Sequence, residues 1–248
     1  MNGRVALVTG GGRGIGREAA LLLSAAGARV MITARSETEL ADVGLDYVVA
    51  DLGTTEGCGQ AVAETERRLG PIDLLVVNHG IGSAHERLVW EQDPQVWRET
   101  MRINLDGPFE LARLTVGGMC KRGFGRLVFT SSTAGEKAER SGSAYSASKH
   151  GLIGLARAVA QDAGPFGVTS NAVLPGWVKT AMAERSAKTE AERRGISVED
   201  VWRERASIYP QKRVLDPREV AEVIAFLCSD ASGGVNGEAI TVALGGMW

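Results

Sequence analysis

Tyr145 and Lys149 lie four residues apart, a spacing that stacks two side chains on one face of a helix. A free phenol titrates near ~10, too high to exchange protons readily at neutral pH. An ammonium group beside it favours the phenolate and pulls that pKa down. Ser132, thirteen residues upstream, could bring a hydroxyl from a strand end to hold a reacting oxygen beside the phenol. Together the three describe a proton-transfer site. A Tyr-x-x-x-Lys spacing also occurs in helices with no chemical role, so the elements around it must carry the weight.

The 248 residues suit one large α/β domain or two small ones, and either buries a substantial core. Aliphatics dominate, aromatics are few, and 32 glycines suit tight turns and close helix packing. The formal net charge is -2 with signs mixed along the chain, which gives no footprint for nucleic acid or a membrane surface. Cys58, Cys120 and Cys228 are odd in number, widely spaced and not clustered with the three histidines. Neither a disulfide framework nor a metal site is expected. No leader-like opening or bilayer-length apolar run is visible, so a soluble cytoplasmic protein is the expectation.

The first elements would form a nucleotide crevice. Val5-Ala6-Leu7-Val8 reads as a strand buried on both faces and leads into Thr9-Gly10-Gly11-Gly12-Arg13-Gly14-Ile15-Gly16. A helix is predicted over 18–26, with Gly27 as its C-cap. Gly10, Gly14 and Gly16 would permit a tight turn, backbone approach to a diphosphate and close helix–strand contact, with the helix N-terminus facing the phosphates. The same glycines could equally serve a structural loop. The second strand, 29–33, ends at Ala34, where an acid would receive a ribose 2′-hydroxyl. Arg35 and Arg13 instead offer two guanidinium groups to a 2′-phosphate, or are solvated surface arginines. Glu37 and Glu39 read as the exposed start of the next helix. A third strand over 48–52 carries Asp51, an acceptor for an adenine amino group or else a turn residue or N-cap. A helix over 56–69 stops at Gly70-Pro71, and strand 72–77 runs into Asn78-His79-Gly80. This β-α-β alternation predicts a doubly wound parallel sheet.

Downstream, a long helix is predicted over 93–114, with Asp93 as N-cap and Asn104 inside it. Strand 126–130 delivers Ser131 and Ser132 at its carboxyl end, and helix 144–163 carries Tyr145 and Lys149. Strand 168–174 precedes Pro175-Gly176-Trp177-Val178-Lys179-Thr180. The charged segment 181–213, with helices over 181–193 and 198–207, reads as a lid or as an exposed helical pair. A helix over 216–227 and a strand over 239–242 close the chain, before Leu244-Gly245-Gly246-Met247-Trp248.

The ordered set Thr9-Gly10-x-x-x-Gly14-x-Gly16, Asp51, Asn78-x-Gly80, Asn104, Ser132, Tyr145-x-x-x-Lys149 and Pro175-Gly176 resembles the short-chain dehydrogenase/reductase family, along essentially all 248 residues. The resemblance implies one Rossmann-like domain over 1–248: a doubly wound parallel sheet of about seven strands with helices on both faces. Residues 1–130 would mainly bind dinucleotide, and 131–248 would carry the catalytic and substrate half. It implies a nicotinamide-dependent oxidoreductase interconverting a ketone and a secondary alcohol. Ser132 would hold the carbonyl oxygen, Tyr145 would exchange the proton, Lys149 would tune the phenol and bind ribose, and Asn104 would hold a water linking the lysine to solvent. Gly10, Arg13, Gly14, Ile15, Gly16, Arg35, Asp51, Leu52, Asn78, Gly80, Tyr145, Lys149, Pro175, Gly176, Val178 and Thr180 would contact the cofactor. Ala34, Arg35 and Arg13 favour NADP(H), with NAD(H) the alternative.

The chain departs from the family's Asn-Asn-Ala-Gly turn with Val77-Asn78-His79-Gly80. Val77 lacks a polar group that usually ties the sheet. His79 could make cofactor binding pH-dependent, or is a size variant with a local hydrogen bond. His85 and His150 read as structural or surface residues. Enzymes acting on 3-hydroxybutyrate carry polar groups at the positions of Ala134 and Gly142, and Lys137 and Arg140 read as solvent-facing. The expectation is therefore a ketoreductase for an uncharged or carrier-linked carbonyl. A short-chain 3-hydroxyacid dehydrogenase using NAD, or a nucleotide-binding sensor without turnover, are the alternatives. The family resemblance also implies a homotetramer or dimer.

Overall fold

The computed structural model describes residues 1–83, 85 and 87–246, so Met247 and Trp248 of the predicted tail lie outside it. In chain order the main elements are β1 (Val5–Thr9), α1 (Gly14–Ala25), β2 (Arg29–Ala34), α2 (Glu37–Ala41), β3 (Asp46–Val49), α3 (Thr55–Leu69), β4 (Leu74–Val77), α4 (Pro94–Met101), α5 (Gly107–Arg122), β5 (Gly125–Thr130), α6 (Ser143–Ala163), β6 (Val168–Pro175), α7 (Ala181–Arg194), α8 (Val198–Ser207), α9 (Pro217–Leu227) and β7 (Ala239–Val242). The seven strands form one sheet in the order β3-β2-β1-β4-β5-β6-β7, every pair parallel. This is the doubly wound α/β fold that the alternation predicts.

Continuous apolar strands fit a sheet covered on both faces, and β1, β4, β5 and β6 are buried along their whole lengths. One face packs on α3, α5 and α6 through Cys58, Ala61, Leu111, Met119, Leu152 and Ala156. The other packs on α1 and α9 through Ala19, Ala20, Leu23, Val220, Ala221 and Ile224. The chain runs outward from β1 to β2 and β3, then returns to β4 on the opposite side. The strand order therefore reverses between β1 and β4, and a crevice opens beyond their carboxyl ends.

Three predicted boundaries move for physical reasons. α1 starts at Gly14 rather than residue 18, so the last glycines of the loop form its first turn. β3 stops at Val49, because the Asp51 side chain accepts from Gly53 N at 3.0 Å and its carbonyl accepts from Thr54 Oγ1 at 2.9 Å, closing a turn. The long helix predicted over 93–114 reaches Arg122 and is interrupted by a wide π turn, Arg102–Asp106, with Asn104 at its centre. The other strands and helices stand within two residues of expectation, and α8 and β7 have the predicted limits.

Candidate active site

β5 ends in Thr130-Ser131-Ser132, and the two serines have different tasks. Ser131 is buried and donates from Oγ to the Lys149 carbonyl at 2.8 Å, tying α6 to the end of the strand. Ser132 lines the cleft, and its Oγ accepts from Ala134 N at 3.1 Å at the start of a single 3₁₀ turn. Gly135 closes that turn because a Cβ there would lie 2.6 Å from Ser131 Oγ.

Tyr145 and Lys149 enter the same cleft from the first turns of α6. Lys149 is only 5% exposed; Nζ donates to the Thr130 carbonyl at 2.8 Å and stands 5.6 Å from the centre of the Tyr145 ring. Burial pulls its pKa down to about 8. The lysine is thus a cation held against a phenol in a poorly solvated place.

Asn104 is fully buried behind the cleft wall. Its Oδ1 accepts from Ile81 N at 2.8 Å, and its Nδ2 donates to the Ile81 carbonyl at 2.9 Å and to Ser148 Oγ at 3.2 Å. A side chain paired to one backbone residue in both directions pins the chain after β4 to the π turn. Gly80 leaves the space between Asn104 and Lys149, since a Cβ there would lie 3.1 Å from Asn104 Oδ1 and 3.6 Å from Lys149 Nζ.

The glycine loop fits a dinucleotide. A Cβ on Gly16 would press on the Gly10 carbonyl and lie 2.5 Å from Asn78 Nδ2, so α1 can approach only because the side chain is missing. Gly10 and Gly14 have φ of 63° and 55°, where a glycine is favoured. Thr9 Oγ1 accepts from Asn78 N at 2.9 Å and His79 N at 3.2 Å, joining the ends of β1 and β4. The resulting cleft holds about 830 Å³ and is lined by Gly10, Arg13, Gly14, Ile15, Arg35, Asp51, Leu52, Asn78 and Gly80 on one side. Pro175, Gly176, Val178 and Thr180 line the other. Of the predicted site residues, Gly16 and Asn104 stand behind the wall. Asp51 caps its own turn and lies 3.7 Å from Arg102 Nη1, and Thr180 caps α7 by accepting from Ala183 N at 3.3 Å.

One reading of a polar residue is corrected, and for His79 the surroundings favour the local hydrogen bond over a response to physiological pH. Its Nδ1 sits 2.8 Å from Thr9 Oγ1, and desolvation, aided by the Lys149 charge and opposed by the Ile103 backbone, drives its pKa down to about 3. The local hydrogen bond accounts for it instead. Glu39 is not merely the exposed start of a helix: it lines the cleft, and its Oε1 is 2.6 Å from Arg13 Nη1. His85 is exposed at the cleft rim, His150 sits on α6 with Nδ1 2.9 Å from the Ser146 carbonyl, and Lys137 and Arg140 are exposed.

The wall opposite the glycine loop contains groups that local patterns did not reveal. Tyr209 is fully buried, accepts from Trp177 N at 2.6 Å, and would collide with any Cβ on Gly176. It fixes the turn after β6. Arg205, 5% exposed, stacks 3.7 Å from the centre of the Trp177 ring, donates to the Ala183 carbonyl at 3.0 Å and pairs with Glu190 at 2.9 Å. The unusual placement of Trp177, Trp202 and Tyr209 around an otherwise charged segment was the available signal. Met182, Arg185, Ile208 and Glu139 complete this wall. Among the described residues, no cluster of three or more His, Cys, Asp or Glu side chains is placed to hold a metal ion, and no helix is long and apolar enough to cross a membrane.

A family model described as enoyl-(acyl carrier protein) reductase matches residues 10–247. An acetoacetyl-CoA reductase of Rhizobium meliloti is 37% identical over 250 residues, covering 99% of this chain and 98% of the relative. A D-beta-hydroxybutyrate dehydrogenase of Cupriavidus necator is 32% identical, covering 96% of this chain and 95% of the relative. The crystal structure of an actinorhodin polyketide ketoreductase variant with NADPH matches with a TM-score of 0.91 at 34% identity, covering 98% of each chain.

Proposed function

The chain belongs to the short-chain dehydrogenase/reductase family and is an oxidoreductase of the ketone–alcohol class, and from that premise we propose that it is a ketoreductase for an uncharged or carrier-linked carbonyl. The observation that carries this reading is the convergence of Ser132, Tyr145 and Lys149 on the cleft that the glycine loop also lines.

Bound in that cleft, a reduced nicotinamide supplies hydride to the carbonyl carbon. The chain's own residues do the rest. Ser132 Oγ donates a hydrogen bond to the carbonyl oxygen and holds it at the phenol. Tyr145 Oη delivers its proton to that oxygen as the alkoxide forms, completing the alcohol. The Lys149 charge stabilises the phenolate left behind and binds ribose hydroxyls. Asn104 acts through position, by fixing the backbone beside the lysine and by holding a water that would link Lys149 to solvent, so that the Tyr145 phenolate regains its proton through the lysine. Gly10, Gly14 and Ile15 would seat the diphosphate, with Gly16 behind the wall letting α1 approach; Asp51 and Leu52 would meet the adenine, Asn78 and Gly80 ribose, and Pro175, Gly176, Val178 and Thr180 the nicotinamide. Dinucleotide binding lies mainly in residues 1–130 and substrate binding in 131–248, with 181–213 as lid.

Ala34, Arg35 and Arg13 support NADP(H) as the preferred cofactor. The substrate side supports a carbonyl without a free carboxylate: Ala134 is buried and apolar, Lys137 and Arg140 face solvent, and Glu139 lines the wall. The similarity to a D-beta-hydroxybutyrate dehydrogenase favours the second reading, a free 3-hydroxyacid as substrate. Exposed Trp97 on α4 and Phe109 on α5 support association of copies through those helices. A panel of β-keto thioesters, neutral ketones and acetoacetate, followed by absorbance of the reduced cofactor, tests the reading. The neutral and thioester carbonyls are expected to turn over at least tenfold more efficiently than acetoacetate, about 1.4 kcal/mol in transition-state binding. The reverse order would establish the hydroxyacid reading.

A further inference from the structure

Cofactor choice should be set at the adenosine end of the cleft, and the groups there are not all cations. Glu39 is constrained from three directions. Its backbone N donates to Ser36 Oγ, the cap of α2, at 3.4 Å. Its neighbour Leu40 is fully buried in the core and fixes the helix. Its own Cβ lies where a Cβ on Gly12 would come within 3.1 Å, so the side chain rests on the glycine loop. From there its carboxylate reaches Arg13 at 2.6 Å, and both side chains line the cleft. Arg35, exposed just beyond β2, forms no ion pair among the described residues. The nearby Glu37 is directed elsewhere, to the Tyr47 hydroxyl at 3.3 Å.

We propose that Glu39 sets the discrimination between a 2′-phosphate and a 2′-hydroxyl: its carboxylate neutralises Arg13, leaves Arg35 as the cation at that end without an ion pair among the described residues, and so opens the site to both cofactor forms. The inference rests on the reading of Arg13 and Arg35 as the 2′-phosphate end. The physical reason is a like-charge conflict. A 2′-phosphate that engages Arg13 must lie close to the carboxylate that already holds it, in a partly solvated place where such repulsion is moderate. A 2′-hydroxyl meets no such repulsion, and it can donate to a carboxylate. Glu39 thus supplies from α2 the acid that Ala34 does not supply at the end of β2.

The test uses the intact protein and two adenosine probes without nicotinamide, 2′,5′-ADP and 5′-AMP, titrated calorimetrically at low salt. In Glu39→Gln the Kd of 2′,5′-ADP is expected to fall about tenfold, while that of 5′-AMP stays level or rises. Glu39→Lys should move the same ratio further, and added salt should shrink both gains. Tightening of 2′,5′-ADP that 5′-AMP does not share cannot come from a loosened helix. An unchanged ratio, or equal tightening of both probes, overturns the role of Glu39. Arg35→Ala separates the two levels: it should weaken 2′,5′-ADP alone. If it leaves 2′,5′-ADP unaffected, the 2′-phosphate reading itself fails; if it weakens that probe while Glu39→Gln changes nothing, only the present inference fails.

Discussion

The two walls of the cleft are built by different means. The dinucleotide wall is made of strand ends: β1, β4 and β5 are buried throughout, and the loops that follow them are held by glycines and by backbone hydrogen bonds to Thr9 and Asn104. The opposite wall, proposed as the substrate side, takes Met182, Arg185 and Ser186 of α7 into the cleft and is backed by α8, which packs on α7 through Ala187, Ala191 and Val201 with Ile196, Val198 and Trp202 beside them. Side chains hold it together: Arg194 with Glu190 and Glu204, Trp202 with Glu184, and Arg205 with Glu190 and Trp177. The first wall is fixed by missing atoms and main chain, the second by long polar side chains. Rigid placement belongs where the chemistry is common to many substrates, and an adjustable wall belongs where substrates differ.

The largest effect should come from the phenol that α6 sets between the two walls. Tyr145→Phe is expected to lower kcat by about 10²–10⁴-fold, the usual worth of a positioned proton donor, while dinucleotide binding measured by calorimetry stays within a few fold. Substantial retained turnover would remove the phenol from the mechanism. Gly16→Ala should act on the scaffold instead. Its methyl would meet the Gly10 carbonyl and Asn78, so denaturant unfolding should show a loss of about 1–3 kcal/mol together with weaker dinucleotide binding. An alanine accommodated without either effect would show that the loop is less tightly constrained than its contacts imply.

Arg205→Met sharpens the contrast. Methionine keeps much of the volume but loses the charge that bridges Glu190, the Ala183 carbonyl and the Trp177 ring. On the proposal that this region receives the substrate, with Arg205 holding Trp177 of the cleft lining, KM for the carbonyl should rise about tenfold while dinucleotide affinity is unchanged. A change confined to dinucleotide affinity would place Arg205 on the wrong side of the comparison.

The smallest effect is the pH response of His79. Its pKa falls from 6.5 to about 3 on folding, so the unfolded chain binds the extra proton between these values. Its contribution to stability is therefore complete above pH 6.5 and is lost as pH falls toward 3, about 1–2 kcal/mol by pH 5 once water in the cleft is allowed for. His79→Ala should flatten thermal stability against pH in that window. Lys149 acts in the opposite range. Its pKa falls from 10.5 to about 8, so the cost of burying its charge is present below pH 8 and is relieved as pH rises toward 10.5.

What the sequence made legible was mostly local. Tyr145 and Lys149 share one helix, Ser132 follows one strand, and the glycines lie between one strand and one helix, so neighbouring residues alone locate them. The sheet was legible because its strands are apolar along their length and alternate with helices. Contacts between distant segments were not: Glu39 meeting Arg13 across 26 residues, Asn104 meeting Ile81 across 23, and Tyr209 meeting Trp177 across 32 each require the assembled fold. The strand reads three residues too far because Val48-Val49-Ala50 is apolar right up to Asp51, whose alternative as a turn residue is the one its bonds with Gly53 and Thr54 make. The environment of His79 was hidden for the same reason, since its half-buried ring lies between Thr9 of β1 and Gly107 of α5.

The wide turn at Arg102–Asp106 has one further consequence. A helix that takes one extra residue into a turn slips its phase by roughly 100°, so the buried stripe of α5, with Leu111, Ala112, Thr115 and Met119, is out of step with the stripe that α4 would have continued. A one-residue deletion there would restore an unbroken spiral and still swing Asn104 away from Ile81. Near this site the count of residues is as binding as their identity, and a shortened chain could remain helical while losing the geometry around Lys149.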